Sequence, residues 1–340
     1  MENKKNSFFK NLLSIRGMGS SLIAFVALIL IYVAFGLSEP NVFSTTNILN
    51  LLRSMSKYLL IGIGQSYILI TGNIDLSIGS VVGMSAMISA TLMSSGLNPV
   101  LSLLIALACC LLIGLINGVL VGKFMLPPFI ATLGTMFVAR GIAYMVNGNR
   151  NTNAISTGLG KESAQRVQDF FYYGKTLGIY NTFFIALIIF IVFFFILSKT
   201  RTGRHIYAIG SNIEAAKLSG ISVFAITTKA YMVSAFCSAV VGFILCGQAG
   251  MGNMEAGNMY EMYGVAAGVI GGVSPLGGTG LLLGTFAGAA VWQTLENGLN
   301  LIGAQVGIQR IVIGVIVVLS VLLDVLVRSG SKIRIKKQKI

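Results

Sequence analysis

The segment RTGRHIYAIGSNIEAAKLSG, residues Arg201–Gly220, is a polar and basic stretch between two strongly apolar segments, Thr182–Leu197 and Ala230–Gly247. Apolar runs in this chain are about 16 to 24 residues long, which at about 1.5 Å per residue suits a hydrocarbon core of about 30 Å. Arg201–Gly220 is therefore predicted to be a loop between two membrane-spanning helices. Its basic charge places it in the cytoplasm, and its side fixes the orientation of the remaining spans.

The composition supports a membrane protein along the whole chain. Of 340 residues, 55% are hydrophobic and only 10% are charged, whereas soluble domains average about 25% charged residues. The fold class predicted is all-α: one polytopic transmembrane domain over residues 1–340, with about ten spans. The net charge of +14 is gathered in loops and at the ends, as the positive-inside rule requires. Nucleic-acid binding is excluded because the basic residues are not interleaved with stackable aromatic residues.

The same charges assign sides to the loops. Residues 1–20, the coupling region 199–228 and the basic tail 328–340 are predicted to be cytoplasmic, so both termini lie inside, while the polar segment 147–179 is predicted to be external. Ile23–Leu37 is predicted to be an uncleaved first span. A cleavable signal peptide, with Ala34 and Gly36 near its cleavage site, is the alternative, but the run is long for the apolar region of such a peptide. The segments Glu39–Thr46 and Gly250–Glu261 are predicted to be outer loops.

Two apolar regions, Tyr58–Met93 and Met262–Leu301, are too long to cross once. Each is predicted to break at a glycine-rich motif, TGNIDLSIG (Thr71–Gly79) in the first and GGVSPLGGTG (Gly271–Gly280) in the second. Two spans joined by a turn are favoured in each region, and the alternative is a helix interrupted within the membrane. The glycines expected to form the breaks are Gly72, Gly79, Gly271, Gly272, Gly277 and Gly278.

The other spans follow from the remaining apolar runs. They are predicted at 100–121, 127–146, 182–197, 230–247 and 308–327, with Pro127 and Pro128 opening the second of them. Arg140, near the outer end of its span, is predicted to extend its side chain to the interface.

Catalytic chemistry is not indicated. His205 is the only histidine and lies in a predicted loop, so no Ser-His-Asp triad or histidine-rich metal site can be assembled. Gly174-Lys175-Thr176 resembles part of a phosphate loop, but Asp169 stands where the motif needs glycine. The four cysteines lie in apolar runs without C-x-x-C spacing and are interpreted as small hydrophobic residues. The chain is predicted to be a non-enzyme that binds no metal or nucleotide itself.

A few polar residues near apolar spans are candidates for a transport pathway. Asp75, two residues before Ser77, either caps a helix start or contacts the substrate. Glu296, Asn297 and Asn300 share a helix face that suits a hydroxyl-rich solute, although hydrogen bonding between helices explains them equally. The tentative pathway residues are Asn73, Asp75, Ser77, Glu296, Asn297 and Asn300.

Several motifs resemble one known family. They are TGNIDLSIGS (Thr71–Ser80), PPFIATLGTMFVARG (Pro127–Gly141), AIGSNIEAAKLSGI (Ala208–Ile221), VIGGVSPLGGTG (Val269–Gly280) and NGLNLIG (Asn297–Gly303). The chain is similar to permease subunits of ATP-binding-cassette importers of the ribose, galactose and xylose class. The resemblance implies import of a monosaccharide or polyol by alternating access across the bacterial cytoplasmic membrane. It also implies three partners: an ATPase subunit that binds ATP and Mg, an extracytoplasmic sugar-binding protein and a second permease copy.

The resemblance assigns Ala208–Ile221 to the loop that contacts the ATPase, with Gly210, Glu214, Ala215, Ala216 and Gly220 matching. The residues agree, because Glu214–Leu218 favours a short helix that Asn212 can cap and Gly220 can end, with Lys217 on its surface. An amphipathic loop lying on lipid is the alternative. The family often has aspartate where this chain has Tyr263. Two other functions stay open: an ion-coupled secondary transporter using Asp75 and Glu296, and a nucleoside or autoinducer permease of the same superfamily.

Overall fold

The computed structural model describes residues 18–312, 314–316, 318–319 and 322. The predicted cytoplasmic N-terminus up to residue 17, the last part of the predicted span 308–327, and the basic tail 328–340 lie outside the described residues. The described chain is predominantly α-helical, as predicted. Its helices are α1 (Met18–Ser38), α2 (Thr45–Ile70), α3 (Ile78–Ser94), α4 (Pro99–Gly122), α5 (Pro128–Met145), α6 (Ser156–Leu159), α7 (Lys161–Gln168), α8 (Asn181–Lys199), α9 (Arg201–Ser211), α10 (Ile213–Leu218), α11 (Val223–Ala249), α12 (Tyr260–Ile270), α13 (Leu282–Leu301) and α14 (Val306–Ile316).

The helices form a peripheral set and a central set. Within the described residues, α1, α4, α5, α8 and α11 are long and apolar enough to cross a membrane by length and composition. Of these, α1, α4, α5 and α8 expose most of their side chains, whereas α11 is largely buried. Helices that face lipid must be apolar, but helices buried in protein can carry polar and small residues. This is why α2 and α13, which are rich in glycine, serine and threonine, occupy the centre.

The core lies where α2 and α11 meet their neighbours. Helix α11 packs against α4, α3 and α2, and α12 packs against α2 and α13. Glycines allow these close approaches, since a methyl at Gly62 would lie 3.0 Å from both Ala267 and Thr285. A methyl at Gly64 would lie 2.9 Å from the Ser234 backbone. Small residues at such contacts bring helix backbones together in membrane bundles.

Helix α2 begins well before the predicted apolar region. It starts at Thr45, where the Ser44 hydroxyl accepts a hydrogen bond from Asn47 N at 3.2 Å. The prediction that the apolar region begins near Tyr58 therefore placed the start of this helix too late. The first three turns of α2 mix polar residues such as Asn47, Asn50 and Arg53 with apolar ones, so hydropathy did not mark them.

The bundle has two distinguishable ends. The α9 end carries α9, α10 and both breaks, which lie at residues 71–77 and 271–281. The opposite end, called the α7 end, carries α6, α7, a π-helical turn at Asp169–Tyr173 and a hairpin of β1 (Lys175–Thr176) and β2 (Ile179–Tyr180). The two strands are antiparallel, with Lys175 opposite Tyr180. The polar segment 147–179 is thus ordered structure rather than a plain loop.

An arginine fixes this hairpin to the bundle. The Arg53 guanidinium lies 4.4 Å from the ring centre of Tyr172 and 4.0 Å from that of Tyr180. Cation–π contacts of this kind stabilise by about 0.5–2 kcal/mol. The π-helical turn and β2 are therefore held against α2 through one side chain.

The segment after α11 departs from the predicted outer loop Gly250–Glu261. Gly250 ends α11 in the left-handed conformation, with φ of 65°. The chain then runs back beside α3, where Gly252 lies against Met87 and Ala90 and Gly257 lies against Gly79. These contacts cover about 11 residues of α3, or about 16 Å of helix. Small residues made the segment look like a loop, but they serve to fit it between helices.

Arg140 holds this segment in place. Its Nη1 donates to the carbonyl oxygens of Met254 and Ala256, both at 2.9 Å. The prediction that Arg140 extends to the interface was wrong, because buried carbonyls without a helical partner lie within its reach.

Helix α12 is too short to cross a membrane alone. Its 11 residues span about 16 Å, half of the hydrocarbon thickness of about 30 Å. The irregular segment before it, at residues 250–259, and the break after it, at residues 271–281, cover the rest of the membrane thickness. The structure therefore favours the interrupted helix, rather than a full span, for the first part of Met262–Leu301.

Candidate functional sites: a three-segment junction and two polar cavities

Helix α9 lies at the end of the bundle that carries both breaks, and the sequence did not predict it. The Thr200 hydroxyl accepts from Gly203 N at 3.4 Å to cap its start. Its buried residues, Gly203, Ile206 and Ile209, recur every three residues and form one apolar face. That spacing was the available signal, but the basic charge of the segment obscured it.

The end of α9 meets both glycine-rich breaks at one point. Gly278 N, in the second break, donates to the Ile70 carbonyl at the end of α2, at 2.8 Å. A methyl at Gly210 would overlap that same carbonyl oxygen and lie 2.6 Å from Gly278 N. The Tyr207 hydroxyl donates to the Gly280 carbonyl at 2.7 Å. We call this arrangement of Ile70, Gly210 and Gly278 the junction.

Two features keep the junction close-packed. Burial raises the pKa of Tyr207 to about 12, so its hydroxyl remains protonated and continues to donate. Gly277 and Gly278 have φ values of 86° and 71°, which favour glycine over residues with a side chain. The junction therefore links α9 directly to the end of α2 and to the break between α12 and α13.

The short helix α10 follows the junction and confirms its predicted caps. The Asn212 side chain accepts from Ala215 N at 2.9 Å, and Gly220 follows the helix with φ of 77°. Ala216 is buried against the bundle. The outward face carries Glu214 and Lys217, paired at 2.9 Å, together with Leu218, which is 91% exposed. A partner contact through these residues stays a prediction.

The predicted break glycines fall into two groups. Gly72, Gly271, Gly272, Gly277 and Gly278 lie between helices, as predicted. Gly79 does not, because it is the second residue of α3. A methyl there would overlap the Gly257 carbonyl, so this glycine makes room for the segment beside α3.

Asp75 is held in a closed hydrogen-bond network. Its Oδ1 accepts from Ser77 N at 2.9 Å and from the Ser77 hydroxyl at 2.6 Å, and its Oδ2 accepts from the Ser234 hydroxyl at 2.7 Å. The network continues through Asn117, which donates to Ser77 at 3.0 Å. Asp75 is 3% exposed and is not among the residues lining the two cavities below. The geometry therefore favours the capping alternative for Asp75 and Ser77.

Asn73 lies near the tip of the first break. Its amide donates to the Thr71 hydroxyl at 2.9 Å. Its predicted place in a transport pathway stays a prediction.

Two cavities lie toward the α7 end and share one residue, Lys57. The larger has a volume of about 510 Å³ and is lined by the segment beside α3, the end of α11 and Tyr173. The smaller has a volume of about 270 Å³ and lies between α2 and α13, and we call it the α2–α13 cavity. Its lining residues are Ser54, Lys57, Tyr58, Gln293, Glu296, Asn297 and Asn300.

The α2–α13 cavity contains the predicted acid Glu296. The Tyr58 hydroxyl donates to Glu296 Oε2 at 2.8 Å. Lys57, one residue earlier, donates to Gln248 at 3.4 Å. The ring of Tyr58 is backed by Tyr263 and Trp292, whose ring centres lie 5.7 and 6.2 Å away. An acid, a base and an aromatic ring therefore converge on one small space.

Asn297 and Asn300 line this cavity and also join helices. The amides of Asn297 and Asn47 donate to each other at 2.9 and 3.0 Å, and Asn300 accepts from Gln309 at 2.8 Å. The structure therefore bears out the hydrogen bonding between helices, and a contact of these side chains with a hydroxyl-rich solute stays a prediction.

Sequence reasoning missed four residues of this cavity, Ser54, Lys57, Tyr58 and Gln293. Lys57 stands directly before the predicted apolar region, and only the longer helix seen in the structure makes it a lysine within a span, which would have been a functional signal. Gln293 lies one turn before Asn297 on α13, so it shares a helix face with the predicted residues. Tyr58 had no signal in the sequence.

Metal and disulfide sites do not appear in the described part of the chain. No group of three or more histidine, cysteine, aspartate or glutamate residues there could hold a metal ion. All four cysteines are unpaired, and Cys110, Cys237 and Cys246 are buried. The burial of these three agrees with their interpretation as small hydrophobic residues.

Comparison with known proteins places these features in context. Residues 47–321 match the family described as branched-chain amino acid transport system / permease component. The chain is 35% identical over 308 residues to ribose import permease protein RbsC of Bacillus subtilis, covering 91% of this chain and 94% of that protein. It is 32% identical to D-allose transport system permease protein AlsC of Escherichia coli, covering 89% and 91%. It is 34% identical to galactose/methyl galactoside import permease protein MglC of Haemophilus influenzae, covering 91% and 95%. No solved structure matches the chain.

Proposed function

The chain belongs to the family of branched-chain amino acid transport system permease components, and from this premise we propose that it is the permease subunit of an ATP-driven monosaccharide importer. It is a polytopic α-helical membrane protein and acts as a transport subunit. Relatives named for ribose, allose and galactose import match it over about nine tenths of its length. A small aldose is therefore the proposed cargo.

The junction is the observation that best supports ATP-driven transport. Helices α9 and α10 pack on one end of the bundle, and α9 contacts the end of α2 and the second break through Gly210. Movement of α10 by an ATPase would displace Ile70 and Gly278 together, because a hydrogen bond joins them. Rigid-body transfer of this kind is a common way to switch a transporter between states. A separate ATPase subunit would supply the ATP and Mg.

The proposal also assigns each end of the bundle to one side of the membrane. The α9 end is proposed to face the cytoplasm with both termini, as the basic charge of Arg201, Arg204 and Lys217 indicates. The α7 end would face outward and receive sugar from a binding protein. Membership of this family supports a location in the bacterial inner membrane. It also supports assembly with a second copy of the permease into a two-fold channel.

The ion-coupled alternative has less support. Asp75 accepts three hydrogen bonds and Glu296 accepts one from Tyr58. An ion-coupled mechanism also gives no role to the exposed α10. A nucleoside cargo would leave the same coupling scheme in place and is separated by the uptake assay below.

Glu214→Arg tests the coupling. The assay is uptake of radiolabelled D-ribose, D-allose and D-galactose by membrane vesicles containing the permease, its ATPase and its binding protein. The variant reverses a charge on the exposed face of α10, so ATPase co-purification and ATP-driven uptake should both fall at least tenfold. Glu162→Arg is the matched control, because Glu162 is an exposed acid in the first turn of α7. It should retain ATPase co-purification, because α7 lies at the opposite end of the bundle from α10.

Two results would contradict the proposal. One is uptake that survives Glu214→Arg and follows an imposed proton gradient. The other is a wild-type complex that transports none of the three sugars although it hydrolyses ATP, which would move the cargo to another class of solute.

A further inference from the structure

We propose that the α2–α13 cavity is a transit site that holds one uncharged monosaccharide, with Gln293, Lys57 and Glu296 bonding its hydroxyl groups. The proposal rests on the proposed function and adds the site, the charge of the cargo and the residues that hold it. It concerns the permease itself, and not the binding protein that delivers the sugar.

The first observation is an unpaired amide. Gln293 is 6% exposed and lines the cavity, and its Oε1 has no hydrogen-bond partner in the described structure. Buried polar atoms are normally paired with protein, water or ligand. Gln293 therefore keeps unused hydrogen-bonding capacity at the edge of a cavity, and a solute rich in hydroxyl groups can use it.

The second observation is the charge of the wall. Lys57 offers three donors, of which one reaches Gln248 at 3.4 Å. Glu296 offers acceptors and receives one hydrogen bond, from Tyr58. One positive and one negative group give the wall no net charge, so a neutral solute that both donates and accepts is favoured. A sugar phosphate or a sugar acid would be attracted by Lys57 and repelled by Glu296, so the wall gives a charged solute no advantage over a neutral one.

The third observation is size and shape. The volume of about 270 Å³ falls just below the range of about 300–1,000 Å³ found for drug-sized ligands. One sugar ring fits this volume better than a disaccharide. Tyr58 forms a flat wall, and its contacts with Tyr263 and Trp292 hold the ring in position.

A second buried glutamine supplies a matched control. Gln65 is fully buried in α2, and neither its Nε2 nor its Oε1 has a partner in the described structure. It lies against Gly264 of α12 and is not among the residues lining the two cavities. Gln65→Leu and Gln293→Leu therefore remove the same chemistry from two buried sites, only one of which faces a cavity.

The experiment uses the complete transporter in proteoliposomes, with the best-transported sugar among D-ribose, D-allose and D-galactose. Sugar uptake and ATP hydrolysis are measured together over a range of loaded binding protein. Gln293→Leu should lower the maximal uptake rate about 3- to 10-fold, as expected for one lost hydrogen bond. The binding-protein concentration for half-maximal uptake should stay within about twofold, since docking is unchanged. The number of ATP molecules hydrolysed per sugar transported should rise by the same factor by which uptake falls.

Gln65→Leu should keep the wild-type ratio of sugar to ATP. The proposal is overturned if Gln293→Leu behaves like Gln65→Leu, or if uptake and ATP hydrolysis fall in equal proportion, which would indicate a role in structure alone. If the wild-type complex moves no sugar, the proposed function fails instead, so the two failures are distinct.

A second measurement applies even if Gln293→Leu does not assemble. Ser54→Cys places a thiol in the cavity wall, and Ser95→Cys places one on an exposed turn. Both are made with Cys109→Ala, which removes the only native cysteine that is not buried. Saturating sugar should slow maleimide labelling at position 54 at least threefold and leave position 95 unchanged. Equal labelling at position 54 with and without sugar overturns the proposal.

Discussion

Replacing Gly210 with alanine should loosen the junction. The added methyl would overlap the Ile70 carbonyl oxygen and lie 2.6 Å from Gly278 N. Both are backbone atoms, so neither can rotate away as a side chain can. Overpacking of this kind costs about 1–3 kcal/mol, and losing the hydrogen bond from Gly278 to Ile70 costs about 0.5–1.5 kcal/mol.

The helix itself partly offsets this loss. Alanine is better than glycine within a helix by about 0.5–1 kcal/mol. The net destabilisation is therefore about 1–3 kcal/mol, and it is localised at the contact between α9 and the two breaks. Gly134→Ala in α5 is the control, since a methyl there meets nothing within 4 Å and should stabilise slightly.

The assay is thermal unfolding of the purified permease, followed by the fluorescence of its single tryptophan, Trp292, which is buried. At about 2–4 °C per kcal/mol, Gly210→Ala should lower the midpoint by several degrees, whereas Gly134→Ala should hold or raise it. In proteoliposomes, Gly210→Ala should also hydrolyse more ATP per sugar. An unchanged midpoint together with unchanged coupling would refute the account of the junction.

Three further changes separate structural from transport roles. Asp75→Asn should lower the unfolding midpoint, because the amide keeps one acceptor oxygen for Ser77 but replaces the oxygen that accepts from Ser234, and one lost hydrogen bond costs about 0.5–1.5 kcal/mol. Retained uptake would exclude an ion-carrying role, and lost uptake at an unchanged midpoint would contradict the capping interpretation. Arg53→Met should cost about 0.5–2 kcal/mol of cation–π energy and speed proteolysis within residues 169–180, and an unchanged cleavage rate would count against the contact. Arg140→Met should free two carbonyls beside α3 and increase hydrogen exchange of residues 250–259, whereas unaltered exchange would mean that other contacts hold the segment.

The sequence predicted the helices whose physical cause is local. The lipid-facing spans α1, α4, α5 and α8 are apolar along their length, because hydrocarbon offers no partner for polar groups, and hydropathy found them. The caps of α10 were also predictable, since Asn212 and Gly220 act within a few residues. The positions of both breaks followed from length, because an apolar region longer than the membrane must turn.

The central helices were harder because protein, and not lipid, surrounds them. The first turns of α2, which mix polar and apolar residues, were left outside the predicted span, and Gly250–Glu261 was predicted to be an outer loop. Both are polar or glycine-rich for reasons that involve distant residues, namely Asn297 for α2 and Gly79 for the segment. Likewise, nothing near Tyr58 in the sequence indicates that it pairs with Glu296, since 238 residues separate them.

The family, the approximate number of spans and the polar segment Arg201–Gly220 are thus properties of the sequence itself, because they depend on composition and on short motifs. The tertiary structure decided that Gly210 meets both breaks at one hydrogen bond, that Asp75 is enclosed, and that Lys57, Gln293 and Glu296 share a cavity. Each of these depends on how three or more helices pack, and glycine contacts that exclude even a methyl group set that packing.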